Sequence, residues 1–199
     1  MNPILSILIP TVIGRERQFE ALYHKLNGML DVAPYRSAVE ILYLRDNKES
    51  TIGEKREELY KMANGTFSWQ IDDDDDIPYH AIWYVLTNTK ISHDCITFQE
   101  KCLINGRYYS SNHSLKYEDW GEQQDGFDYV RTPFFKSVIK TEIARSVPIP
   151  HIRYGEDHEW ARALRPHLKN EIHIDKELYI YQHNSKPEDF QTRYGFDKQ

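Results

Sequence analysis

Five consecutive aspartates, Asp72, Asp73, Asp74, Asp75 and Asp76, follow directly on the apolar run Trp69-Gln70-Ile71 in the middle of a 199-residue chain. Carboxylates this close raise one another's pKa unless a cation compensates them. An acidic tail in water would tolerate such a run. Here a strand-like segment precedes it and a helix-like one follows. Hard divalent cations take oxygen ligands, commonly one or two carboxylates together with substrate phosphates. A strand that ends in Asp-x-Asp therefore points to a metal–diphosphate site. The alternative is a charged turn and helix start, where the helix dipole favours Asp.

The apolar pattern around the run alternates in type. Residues 4–9 read as a buried strand stopped by Pro10. Phe19, Leu22, Leu26 and Met29 fall on one helical face. After a loop at 31–36, a second strand over 39–44 leads into Arg45-Asp46-Asn47. Residues 51–63 read as a helix with Ile52, Leu59, Met62 and Ala63 on one face, ended by Asn64-Gly65. A strand over 66–71 delivers the aspartates, and 78–89 is helical. Strand and helix thus alternate three times across residues 1–90, which predicts a parallel sheet with helices on both faces. Ligands bind such sheets beyond the carboxyl ends of the strands. Three polar clusters sit there: Pro10-Thr11 with Arg15, Asp46-Asn47, and the aspartates.

The second half is less regular. Strands over 94–98 and 102–109 are expected, with an Asn105-Gly106 turn. Residues 111–128 read as an irregular surface loop or lid containing Asn112, His113, Tyr117 and Trp120. A helix over 135–145 is broken by Val147-Pro148-Ile149-Pro150, a further helix spans 156–164, and a last strand covers 172–181. The chain from Asn184 is a polar tail. The second acidic cluster is Gly155-Glu156-Asp157-His158-Glu159-Trp160. By itself it reads as a helix start whose acids complement the dipole.

These pieces occur in a fixed order: Leu5-Ser6-Ile7-Leu8-Ile9-Pro10-Thr11, a strand ending in Asp46, Gly53-Glu54-Lys55-Arg56 opening a helix, an aspartate-rich strand end, and Gly-Glu-Asp-x-Glu-Trp. As an ordered set covering residues 4–184 the chain resembles family-2-type glycosyltransferases of the GT-A fold. The resemblance implies an α/β chain folded as a single GT-A-like domain. A Rossmann-like, mostly parallel central sheet flanked by helices is expected, with a smaller antiparallel or irregular acceptor-side portion. Residues 1–90 would bind a nucleotide sugar, 91–184 would form the acceptor side, and 185–199 the tail.

The resemblance also implies roles. Pro10, Thr11 and Arg15 would wrap the nucleotide, and Asp46 would contact base or ribose, its alternative being a turn cap. Arg56 would face base or diphosphate, while Lys55 would do so or lie on a solvated helix face. Asp72 would lie near the ribose and Asp74 would bind Mn²⁺ or Mg²⁺, in a register open by one residue. Asp73 and Asp76 would point outward or support the ligands. Asp157 would be the general base, with Glu156 as the alternative base or an acceptor-positioning group. Trp160 would fill the core or line the sugar pocket, and His183 would add a metal contact. The reaction implied is transfer of a sugar from a nucleoside-diphosphate sugar, a UDP-sugar ahead of a GDP-sugar, to a glycan hydroxyl, with inversion.

Composition narrows the field. The net charge is −6, Lys and Arg are scattered, and no basic stripe for nucleic acid is present. Cys95 and Cys102 lack metal-type spacing and read as free thiols of a reducing compartment. With neither a signal peptide nor a long apolar span, a soluble cytoplasmic protein is expected. Two rivals remain. A nucleotidyltransferase would carry a Gly-rich basic loop where this chain has Val12-Ile13-Gly14-Arg15-Glu16-Arg17, and a non-catalytic sugar- or cation-binding module would keep the fold without turnover.

Overall fold

A computed structural model describes residues 2–31 and 35–184. The predicted tail at 185–199 and positions 32–34 of the predicted loop lie outside the described residues. In chain order the elements are β1 (Leu5–Val12), α1 (Glu16–Leu30), β2 (Val39–Asp46), α2 (Ile52–Met62), β3 (Phe67–Gln70), α3 (Ala81–Asn88), β4 (Cys95–Ile104), β5 (Arg107–His113), β6 (Gly121–Gln124), β7 (Phe127–Arg131), β8 (Val138–Lys140), α4 (Thr141–Ser146), α5 (Glu156–Leu164) and β9 (Glu171–His183). Short 3₁₀ turns occupy Tyr35–Ser37 and Arg165–His167.

One mixed sheet runs β2-β1-β3-β8-β4-β5-β7-β6, with β9 also paired to β4. Its first part is parallel: Leu5 faces both Val39 and Phe67, and Val12 faces Asp46. The carboxyl ends of β1, β2 and β3 therefore share one edge. Two core layers cover the sheet, and the parity of β1 sorts its side chains between them. Leu5, Ile7 and Ile9 pack against Phe19, Leu22 and Leu26 of α1 and Ala81, Ile82 and Val85 of α3. Leu8 faces the other way, onto Leu59 and Tyr60 of α2 and Trp160 and Leu164 of α5. Trp160 is thus core, and its indole N–H donates to the Val147 carbonyl at 3.0 Å. Both cysteines are buried free thiols. Among the described residues, no helix is long and apolar enough to cross a membrane.

The first ninety residues match the predicted alternation. Helix α2 starts on a reciprocal cap, with the Thr51 hydroxyl accepting from the Glu54 N–H and the Glu54 carboxylate accepting from the Thr51 N–H. Three later expectations are corrected. Residues 135–145 do not form one helix; they hold strand β8 and the start of α4. Val138 and Ile139 fill the slot between β3 and β4, antiparallel to both. Strand pairing with distant partners overrides the local helical pattern. Nor is 111–128 an irregular lid. It contains the end of β5, all of β6 and the start of β7, and Asn112 and His113 are buried in β5. The Asn105-Gly106 hairpin forms, but between other strands than expected: β4 continues unbroken from Cys95 to Ile104, and the turn splits the expected strand over 102–109. The β6–β7 hairpin turns on Asp125-Gly126, both with positive φ, a signal of the same kind that the sequence reading passed over.

At Gly65 the chain after α2 passes tightly against β1. A Cβ there would lie 2.6 Å from the Ser6 amide nitrogen, and the Gly65 N–H donates to the Ser6 hydroxyl. Gly65→Ala is expected to destabilise the protein by about 2 kcal/mol. Urea unfolding should show a lower midpoint with an unchanged slope.

Candidate active site

Parallel pairing brings Thr11, Asp46 and the aspartate run to the same edge. β3 continues through Ile71, whose N–H donates to the Leu8 carbonyl at 3.0 Å. The five carboxylates then fan out, and all five meet a cation of this chain. Asp72 pairs with Arg56 at 2.8 Å, and Asp73 with Arg15 at 2.6 Å. Asp74 shares Arg15 at 3.0 Å, Asp75 faces Lys136 at 3.4 Å, and Asp76 binds Lys25 at 2.7 Å. Internal cations therefore meet the repulsion that makes the run conspicuous in sequence. Asp73 is buried, accepting also from the Thr11 hydroxyl at 2.6 Å, so it does not point outward as one reading of the run allowed. Asp74 is the most exposed of the five, with 41% of its side chain accessible.

Arg56 joins the two acidic clusters, which lie 84 residues apart between Asp72 and Glu156. It is buried, with Nη1 and Nη2 on the Asp72 carboxylate, Nε 3.2 Å from Glu156, and Nη1 donating to the Gln70 side chain at 3.0 Å. Its guanidinium carbon sits 4.5 Å from the Phe135 ring centroid. Burial opposes its charge, but Asp72 and Glu156 outweigh burial, and its pKa rises above the ordinary arginine value. Burial would likewise raise Asp72, yet two contacts to Arg56 hold it below the usual carboxylate range. Glu156, with one contact and Asp157 beside it, is shifted upward by burial.

Glu156 and Asp157 open α5 after Gly155, whose φ of 84° is left-handed. Asp157 is half-buried and near enough to Arg56 to reinforce its charge. One carboxylate oxygen accepts the His158 N–H at 2.9 Å.

Asp46 forms an ion pair with Lys55 and accepts N–H groups of Lys48 and Ser50. It therefore caps its turn, the plainer of its two readings. Lys55 is buried rather than on a solvated face, and also donates to the Thr11 carbonyl at 2.8 Å. A groove of about 320 Å³ opens here, lined by Pro10, Thr11, Arg15 and Lys55, and from the far side by Arg153 and Tyr154. Sequence reading missed Arg153 and Tyr154, although they directly precede the Gly155-Glu156-Asp157 motif. A second cavity of about 480 Å³ lies beside aspartates 73–76, bounded by Arg17, Gln18, Lys25 and Gln182. His183 ends β9 opposite Ile104, one residue past Gln182, with its ring stacked 6.0 Å from Tyr181.

Behind Asp75 runs a second buried network, also unanticipated. Tyr179 donates to Asp75 at 2.9 Å, and Lys136 lies 2.8 Å from Glu100, which contacts His113 at 3.2 Å. Burial and the neighbouring Asp72 raise Asp75, although Lys136 pulls against them.

Among the described residues, no group of three His, Cys, Asp or Glu side chains is arranged to hold a metal. A cation that draws its other ligands from a diphosphate needs only one or two carboxylates. Asp74 is exposed at the mouth. Asp72 Oδ1 is buried without a hydrogen bond, although Arg56 Nη1 is 2.8 Å away. The Asp74 carboxylate fits that minimal donor set, whereas Asp72 Oδ1 is enclosed against Arg56.

No protein-family model matches the chain. No curated protein matches it either. Solved structures do. Residues 1–349 of S. aureus TarS in complex with UDP-GlcNAc superpose with a TM-score of 0.64 at 16% identity, over 92% of this chain and 59% of that one. The chain shares the fold of TarS. A second structure of the same TarS fragment gives 0.62 at 17% identity, over 94% and 62%. A TarS structure of which this chain covers 38% gives 0.61. This chain thus spans less than two thirds of the TarS chains it matches.

The Asp46 linkage has a definite sign. Burial raises its pKa, but Lys55 and two backbone N–H groups outweigh burial and lower it from 3.8 to about 2. A depressed carboxylate stabilises the fold above its unfolded pKa, and that contribution is lost as pH falls through the folded value. Asp46→Asn should therefore be less stable than wild type at pH 7. Urea melts should show the gap closing between about pH 4 and pH 2.

Proposed function

We propose that this chain is a glycosyltransferase that moves a sugar from a nucleoside-diphosphate sugar to an acceptor hydroxyl. The observation that carries the reading is the junction at Arg56. It sets the candidate base helix beside the strand end that carries Asp72 and Asp74, next to a groove lined by Thr11, Arg15 and Lys55. The fold shared with TarS, crystallised with UDP-GlcNAc, supports a UDP-sugar as donor.

In this reading the groove holds the nucleoside, and Arg15 and Lys55 offset the negative charge of the diphosphate. Asp74 would hold Mn²⁺ or Mg²⁺, which would supply neutralisation of the departing diphosphate, and Asp72 would lie near the ribose. Asp157 takes the acceptor proton as its oxygen attacks the anomeric carbon from the face opposite the leaving group, giving inversion. Glu156 is the weaker candidate for the base, because it is buried and tied to Arg56. Its role is to hold Arg56 in place beneath Asp72. The acceptor is a glycan hydroxyl approaching over the amino end of α5.

Asp157→Asn should bind UDP-sugar as wild type does and lose transfer by at least about a hundredfold. Asp74→Ala should lose the cation-dependent part of donor binding. Transfer is followed by release of nucleoside diphosphate, and binding by calorimetry with and without Mn²⁺. Undiminished transfer by Asp157→Asn would overturn the base assignment. Release of pyrophosphate would replace the reaction with nucleotidyl transfer.

A further inference from the structure

The groove has an aromatic wall on one side only, and that wall belongs to the segment before α5. Among the described residues, Tyr154 is the one aromatic side chain in the lining; the β1 side offers Pro10, Thr11 and Val12. Tyr154 is 70% exposed, and among the described residues its ring makes no aromatic or cation contact. A large exposed ring is costly in water unless something covers it, and a nucleobase covers a ring well because every base has a π-face.

The segment that presents Tyr154 is pinned to α2. A Cβ on Gly53 would lie 1.9 Å from the Pro150 carbonyl oxygen, so residue 53 has room only for hydrogen and the segment rests directly on the first turn of α2. The same carbonyl accepts the Ile152 N–H at 2.9 Å, tightening the chain. His151 stands 3.4 Å from Glu57 of α2. Arg153 reaches across to the turn after β2, donating to the Lys48 carbonyl at 3.3 Å. Three contacts thus hold residues 150–153 against α2 and the neighbouring turn, and the next residue stands at the groove rim. Gly155, left-handed, then redirects the chain into α5 and the acidic pair.

We infer that Tyr154 is the stacking platform for the nucleobase of the donor, closing the groove from the acceptor side. The inference rests on the proposed donor reading and assigns to it a specificity residue that no feature of the β1 loop supplies. It also gives a physical link between donor and base. Tyr154 is three residues from Asp157, so a nucleotide seated under its ring fixes the segment that leads into the catalytic helix.

The exposed position makes the test clean, because truncating a side chain in water leaves the fold intact. UDP is titrated into wild type, Tyr154→Ala and Tyr154→Phe by calorimetry with Mn²⁺ present, and saturation-transfer NMR follows the uracil H5 and H6 protons. Tyr154→Ala should weaken UDP binding by about tenfold or more, the scale of one lost base–aromatic stack. Tyr154→Phe should remain within about twofold of wild type, since the ring carries the effect. The saturation transfer to H5 and H6 should fall in the alanine variant alone. Wild-type binding of UDP with unchanged affinity in Tyr154→Ala overturns the stacking assignment and leaves the donor reading standing. Failure of wild type to bind UDP or any other nucleoside diphosphate overturns the donor reading itself.

Discussion

A single buried guanidinium is the constraint on which the rest of the site depends. Arg56 projects from the middle of α2 and meets Asp72, just past the end of β3, and Glu156 at the start of α5, 84 residues beyond Asp72. Removing Arg56 would leave the Asp72 and Glu156 carboxylates without their cation, which is far costlier than the pairs are stabilising. The arrangement therefore works as a register device: α5 is held where Glu156 reaches Arg56. Phe135 beneath the guanidinium and Trp160 stacked 4.5 Å from Phe135 extend this constraint into the core. Site geometry and core packing on this face of the sheet are thus one problem with one solution.

The same principle distributes the five aspartates. Their cations come from the α1 approach, from α1 itself, from α2 and from the segment before β8. Four cations from four parts of the chain serve the five carboxylates, Asp73 and Asp74 sharing Arg15, so the run acts as a hub through which several elements are mutually positioned. Asp74 is the least enclosed of them, which is the condition for offering oxygen lone pairs to something from outside. Below, Lys136 links Asp75 to Glu100 and covers the Tyr181 ring at 3.7 Å, carrying the charge pattern across to β4 and β9.

Much of this was legible in the chain. The strand–helix alternation over the first ninety residues, the Asn105-Gly106 turn and the α5 start follow from periodicity and turn chemistry, which are local. The clusters at Thr11, Asp46 and Asp72 were locatable because parallel strands place their carboxyl ends together. Strand β8 was not legible: three residues carry no periodicity, and their pairing is with segments some forty to seventy residues away. Lys136 and Glu100 were equally silent, and His113 was placed in a surface lid, since an isolated Lys, Glu or His reads as surface until tertiary contact buries it.

What the sequence by itself determined was the α/β pattern, the sheet edge at which chemistry gathers and the residues concentrated there, because these follow from spacing along the chain. The tertiary structure alone decided which carboxylate meets which cation, that Asp46 caps its turn against Lys55, that Arg56 spans two distant clusters, and that Tyr154 stands over the groove. Those outcomes depend on through-space distances between elements remote in sequence, and no local pattern encodes them.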